Sequence, residues 1–255
     1  MAEPVDHNTV VAGRFRDRRM PLGGLEIPAP GIVHLWFLDL AQLATPLGEP
    51  APGTVLKPRQ SRSTRRFYLR LLLGAYLGLP GKDVRISRII KGKPVLDASA
   101  HPQQLDFSSA GSGQSCLIGI SSEGLLGVDL ECADRETLKP RALARRYFSA
   151  SEQHALAALD DAELHRAFIH TWACKEAVVK AAGLGIANQL CRFSVSVDPD
   201  QPARLLDMDD DVAANWSLAM LQPTPDYLAA VALRQPLLQL DTFRLLPPAM
   251  TQPSR

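Results

Sequence analysis

The apolar positions of this chain fall into two kinds of run. Short alternating or continuous stretches predict strands at Gly31–Leu40, Val84–Ile90, Cys116–Ser121, Leu126–Glu131, Arg192–Val197, Trp216–Leu221 and Tyr227–Leu233. Longer runs with helical spacing predict helices at Ser63–Leu77, Leu138–Arg146, Ala150–Leu159 and Ala162–Ala182. The first helix has Phe67, Leu71 and Tyr76 among its apolar positions and is stopped by Gly78 and Pro80. Gly31–Leu40 is apolar enough to be a central strand. Each half of the chain thus offers a long helix and several strands, which is an α+β pattern. Residues 1–30 mix acids, bases, Gly and Pro and read as a flexible leader. Residues 236–255 are Pro-rich and read as a tail with little chemistry.

A chain of 255 residues that is 46% hydrophobic can bury a substantial core. Its formal net charge of +1 supplies no global field for nucleic acid or a membrane surface. No apolar h-region opens the chain and no later run is long enough to span a bilayer, so a cytoplasmic location is expected. Charge is uneven, however. From Lys57 to Lys93 the bases Lys57, Arg59, Arg62, Arg65, Arg66, Arg70, Lys82, Arg85, Arg88, Lys91 and Lys93 face one acid, Asp83. That stretch suits phosphates or an acidic partner, and equally a solvated helix face; it carries no zinc, RRM or basic-zipper signature for nucleic acid. Cys116, Cys132, Cys174 and Cys191 have neither CxxC nor zinc spacing and read as reduced thiols. Cys174 has no histidine placed beside it by motif, and His165 and His170 read as packing or surface residues.

Two short segments carry the chemistry. On a strand, Asp129 and Glu131 share one face while Val128 and Leu130 take the other. On a helix, Trp172, Glu176 and Lys180 stack at i, i+4 spacing, with Ala173, Ala177 and Val178 available for packing. A few hard oxygen ligands beside a lysine suit Mg²⁺, with Mn²⁺ accepted by the same oxygens, and a charged leaving group. Phosphoryl or phosphodiester transfer is the chemistry these residues imply. Each motif alone also fits a solvated face or a surface ion pair; their combination narrows the choice.

The ordered set Lys91-Gly92-Lys93-Pro94, Gly127-Val128-Asp129-Leu130-Glu131, Arg146 to Glu152, Trp172 to Lys180 and Gly183-Leu184-Gly185 resembles the Sfp-type 4'-phosphopantetheinyl transferases of the holo-acyl-carrier-protein synthase superfamily. The resemblance spans about Val33 to Val231. It implies two similar α+β halves, at 31–125 and 126–235, related by a pseudo-twofold with the active site between them. It also implies transfer of the phosphopantetheine arm of coenzyme A to a serine of an apo acyl or peptidyl carrier protein, releasing adenosine 3',5'-bisphosphate. Asp129, Glu131 and Glu176 would be the magnesium ligands. Glu152 would take the serine proton, directly or through water, and Lys180 would contact the pyrophosphate and steady the leaving group. Lys93 would bind a coenzyme A phosphate, with Arg62, Ser109 and Ser112 as further contacts and Lys175 in support. A monomer suffices, because both halves lie in one chain.

Two departures from the family pattern stand out. Members usually carry Phe-Asn-x-Ser-His-Ser after the GKP segment, whereas this chain has Phe107-Ser108-Ser109-Ala110-Gly111-Ser112, so the Ser-His phosphate contact becomes Ala110-Gly111. Backbone amides of a Ser/Gly-rich turn there could still cradle phosphate. The basic N-terminal helix of the family is also shortened, and Lys57 and Arg59 are the candidate replacements. A non-catalytic module that binds coenzyme A or a carrier protein is the alternative these departures raise.

Overall fold

A computed structural model describes residues 14–43, 55–88, 93–103, 105–137, 139–183 and 189–249. Its strands are β1 (Arg16–Arg19), β2 (Ile32–Asp39), β3 (Ile86–Arg88), β4 (Pro94–Leu96), β5 (Asp106–Ser112), β6 (Ser115–Ser121), β7 (Leu126–Cys132), β8 (Phe193–Val195), β9 (Leu205–Met208), β10 (Ser217–Thr224), β11 (Tyr227–Leu233) and β12 (Gln239–Leu246). Its helices are α1 (Pro58–Leu77), α2 (Pro140–Tyr147), α3 (Ala150–Ala157) and α4 (Asp161–Ala182). The expected α+β class is what the chain adopts. None of the described helices is long and apolar enough to cross a membrane.

The elements stack as helix, sheet, sheet, helix. A five-stranded sheet runs β1-β12-β2-β6-β5, and a three-stranded sheet runs β10-β11-β7. Alternation along β2 divides its side chains: Trp36 and Leu38 join Tyr68, Leu72 and Tyr76 of α1 in one cluster. Val33, Leu35 and Phe37 point the other way, onto Val128, Leu130 and Val231 of the second sheet. The far side of that second sheet is covered by α4, through Ala173, Ala177 and Ala181 against Ala230 and Ala232. Strand β2 is therefore buried on both faces, which is why its sequence is apolar throughout rather than alternating.

Both chain ends differ from expectation. Gln239–Leu246 pairs in parallel with β2, and Arg16–Arg19 pairs in parallel with β12, so leader and tail both supply strands to the first sheet. Leu240, Phe243 and Leu245 are buried while Gln239, Asp241 and Arg244 are not, an alternation that makes β12 a sheet strand. In β1 every residue is exposed, and the backbone ladder is reinforced by Arg16 on Asp241 at 2.9 Å and over the Phe243 ring at 4.8 Å.

The run from Phe107 to Ser112, expected as a phosphate-cradling turn, is strand, antiparallel to β6. Its neighbour across the sheet boundary is β7. Asp106 Oδ2 accepts the Leu126 N–H at 2.9 Å, Ser108 Oγ the Val128 N–H at 3.0 Å, and Ser112 Oγ the Cys132 N–H at 3.1 Å, each pair separated by 20 residues. Side-chain oxygens thus satisfy backbone donors that a ladder would otherwise have served, and they join the two sheets edge to edge.

Candidate active site

Strand β7 turns Val128 and Leu130 into the core between the sheets, leaving Gly127, Asp129 and Glu131 toward α4. Gly127 makes the approach close. A β-carbon there would overlap the Ala177 carbonyl oxygen and fall 2.5 Å from the Ala181 nitrogen, so the α4 backbone lies directly on the strand. With the alanine row against the sheet, the adjacent row of α4 brings Glu176 and Lys180 to Asp129. The helix is fixed at both ends: Asp160 caps its start by accepting the Ala162 and Glu163 N–H groups at 2.9 Å, and Gly183 ends it at φ 66°.

Lys180 Nζ donates to Asp129 Oδ1 at 2.6 Å and lies 3.8 Å from Glu176 Oε2. Glu131 Oε1 accepts from Arg135 Nη1 at 2.7 Å. All three carboxylates are buried. Burial raises the pKa of Glu131, the Asp129 charge adds to the rise, and Arg135 and Lys180 oppose it. Burial likewise raises Glu176, Lys180 opposes, and Asp129 and Glu131 add to the rise. The three acids therefore share one field, in which the Asp129 charge raises both glutamates. Asp129 Oδ2 is buried in that field without a hydrogen-bond partner. Among the described residues no group of three or more His, Cys, Asp or Glu side chains is arranged to hold a metal ion.

Glu152 and Lys175 form a second, separate pair. Both Glu152 oxygens accept from Lys175 Nζ at 2.7 Å, and they also accept the Val195 N–H at 2.7 Å and the Ser149 N–H at 2.9 Å. The lysine donates as well to the Phe193 carbonyl at 2.6 Å. Glu152 is 2% exposed and Lys175 fully buried. Burial pushes the Lys175 amine down and the Glu152 charge opposes it. The pair ties α3, α4 and β8 together. Both Glu152 oxygens are thus engaged by protein donors, and Lys175 faces away from solvent.

The expected phosphate ligands are dispersed. Lys93 Nζ is held in the seam between the sheets, on Asp106 Oδ2 at 2.7 Å and the Leu126 carbonyl at 3.0 Å. Ser112 Oγ is engaged with β7, Ser109 is exposed on the opposite face of β5, and Arg62 is exposed on α1. Lys91, Gly92, Leu184 and Gly185 lie outside the described residues. Cys174 is fully buried with its thiol pKa raised by burial, and that of Cys116 is pushed up to about 12 for the same reason, so neither serves as a nucleophile. Sequence reasoning did not single out Asp106 or Arg135. The first stands one residue before the quoted Phe107 run and the second four residues after Glu131, so spacing was the available signal.

The family model of the 4'-phosphopantetheinyl transferase superfamily matches residues 125–232, which hold β7, α4 and the carboxylates of Asp129, Glu131, Glu152 and Glu176. The 4'-phosphopantetheinyl transferase HetI from a Nostoc species is 32% identical over 214 residues, covering 79% of this chain and 87% of the relative. The chain belongs to the 4'-phosphopantetheinyl transferase superfamily. Like its relatives it is a transferase. The 4'-phosphopantetheinyl transferase Sfp of Bacillus subtilis is 30% identical over 161 residues, 57% of this chain and 68% of that protein. Among solved structures, a holo-(acyl-carrier-protein) synthase from Bacillus anthracis in complex with CoA (3',5'-ADP) aligns with 43% of this chain and 93% of its own. That alignment has 20% identity and a TM-score of 0.35.

Proposed function

We propose that this transferase moves the 4'-phosphopantetheine arm of coenzyme A onto a serine of an apo acyl or peptidyl carrier protein, with Mg²⁺, releasing adenosine 3',5'-bisphosphate. The observation that carries the reading is Asp129 Oδ2, a buried, unpartnered carboxylate oxygen in a field shared with Glu131 and Glu176. An oxygen donor set of that kind fits a hard divalent cation whose remaining positions are left to water and substrate phosphate. When bound, such an ion supplies offset for the charge on the pyrophosphate.

The chain's own residues complete the site. Lys180, which donates to Asp129, would bind the pyrophosphate and steady the departing bisphosphate as the anhydride bond breaks. Glu152 and Lys175 hold α4 against α3 and β8, so their contribution is to the aim of Glu176. Arg62, Ser109 and Ser112 remain candidates for the nucleotide end of coenzyme A, and Lys93 for a phosphate at the seam. The layering of α1 on one sheet and α4 on the other supports two halves, 31–125 and 126–235, with the site at their junction. One chain holding both halves is consistent with a cytoplasmic monomer.

Intact-mass spectrometry of apo carrier proteins incubated with the protein, coenzyme A and Mg²⁺ tests this reading. A gain of about 340 Da, lost with EDTA, is the expected result for phosphopantetheine transfer. No gain across a broad panel, with coenzyme A still bound, would favour the non-catalytic module.

A further inference from the structure

We propose that Arg135 is a resident counter-cation of the carboxylate site: it holds Glu131, yields that carboxylate to an incoming divalent cation, and thereby sets how tightly the site loads. This rests on the metal-dependent transferase reading above and gives a role to a residue outside the quoted motifs.

Strand β7 ends at Cys132, whose carbonyl accepts the Arg135 N–H at 3.1 Å, while the Ala133 N–H is held by the Asp226 carbonyl at 2.8 Å. This tight turn folds the chain back on the end of the strand. Arg135 Nη1 thereby reaches Glu131 Oε1 at 2.7 Å. Its charge extends past that bond. Burial is what chiefly raises the Glu176 pKa, and Lys180 and Arg135 are the two bases that oppose the rise. One guanidinium therefore acts on two of the three acids.

Asp129 is directed at Lys180 and Glu131 at Arg135, and among the described residues no three such side chains converge to hold an ion. Bringing Glu131 to an ion shared with Asp129 therefore requires a base to let go. The two bases are not equal in this. Lys180 projects from the long helix α4 and serves both Asp129 and Glu176. Arg135 follows a surface turn, its side chain is 45% exposed against 10% for Glu131, and among the described residues its ion pair is with Glu131. A half-exposed arginine regains water on release, so this bond costs little to break. Arg135 is the base that leaves.

Charge balance points the same way. Three ionised acids against two bases leave the cluster with one net negative charge. A divalent cation added beside both bases would carry it past neutrality to a net positive charge, whereas one that takes the place of Arg135 leaves it neutral. Because all three carboxylates are buried, the neutral arrangement is the favoured one. Asp129 Oδ2, buried and without a hydrogen-bond partner, is the oxygen from which the exchange can begin.

Two measurements on the whole protein test the exchange. Binding of Mn²⁺, which the same oxygens accept, is read from the electron paramagnetic resonance of the free ion in wild type and Arg135→Gln, without coenzyme A and with it. Without coenzyme A the variant should bind about fivefold more tightly, the upper scale of a half-exposed ion pair. A wild type that binds only with coenzyme A, beside a variant that binds alone, is the same result at its limit. Nuclear magnetic resonance of the Arg135 guanidinium in nitrogen-15-labelled wild type, assigned by its loss in Arg135→Gln, then separates displacement from a mere change of field. Under the condition where wild type binds, that signal should move to the position of a free arginine as Mg²⁺ saturates the site. Equal or weaker binding by Arg135→Gln, or an Arg135 signal that stays in place at saturation, would overturn the proposal and leave the transferase reading intact. Wild type that binds no ion under either condition would sink the metal reading and the proposal together.

Discussion

The glycine at 127 and the alanine at 177 touch backbone to backbone, and this contact sets the distance between the DxE strand and the helix that faces it. Gly127→Ala inserts a methyl group where there is only main chain to yield. The expected cost is about 3 kcal/mol, at the upper end of overpacking effects, read from urea unfolding. Turnover should fall further than stability, because lifting α4 withdraws Glu176 and Lys180 from Asp129. A fully active, fully stable Gly127→Ala protein would show that the helix does not need this approach.

Asp129→Ala and Glu176→Ala should each abolish metal-dependent turnover with little change in melting temperature. Lys180 loses an ion pair in the first variant but is partly exposed and can be hydrated instead. Removing Asp129 should also lower the pKa of both Glu131 and Glu176, since its charge raises each of them. Cation affinity in wild type should therefore decline with acidification at a pH above that of an ordinary carboxylate, and a titration of Mg²⁺ binding against pH checks it. Wild-type rates in either variant would remove these residues from the site.

Lys175→Ala leaves the Glu152 carboxylate buried without its counter-charge, a loss of roughly 3–5 kcal/mol. Replacing both partners together, as in Lys175→Met with Glu152→Leu, should recover most of that stability and little of the activity. Unfolding curves and initial rates on the same samples separate the two effects.

His34 and His170 both have pKa values lowered below 6.5, chiefly by burial. The unfolded chain then binds protons at these positions before the folded one does. Their contribution to stability is complete above about pH 6.5 and is lost as the pH falls through that value toward the folded pKa. Thermal melts between pH 7.5 and about 5 should show the decline, and His34→Gln should flatten it. His34 also meets Tyr76 at 2.8 Å, so the glutamine retains a polar partner there. An unchanged slope in that variant would assign the effect elsewhere.

The parts of the fold that rest on local periodicity were legible. Strands β2, β6, β7 and β11 and helix α4 fall within a residue or two of expectation, because each buries a continuous apolar face. So was the grouping of Asp129 with Glu131 and of Glu176 with Lys180, which follows from spacings of two and four. Strand β1 was not: Arg-Asp-Arg-Arg has no apolar face, and it is recruited by a partner more than 200 residues away. Strand β5 was mistaken for a turn because Ser, Ala and Gly carry weak strand propensity; pairing with β6 decides its conformation. The bonds of Lys93 to Asp106 and of Glu152 to Lys175 depend on folding across 13 and 23 residues, and nothing in either motif forecasts them.

Lys175 and Glu176 are consecutive, and consecutive residues on a helix point about 100° apart. One is sealed into the protein, bonded to Glu152 and to the Phe193 carbonyl; the other faces the strand acids. The buried lysine thus fixes the rotational phase of α4 about its own axis, as a key fixes a shaft. A helix free to roll by even a quarter-turn would keep its packing small and apolar yet present Ala177 or Lys175 where the carboxylate belongs. Alignment of the reactive edge is stored in the interior of the protein, one residue away from the edge itself.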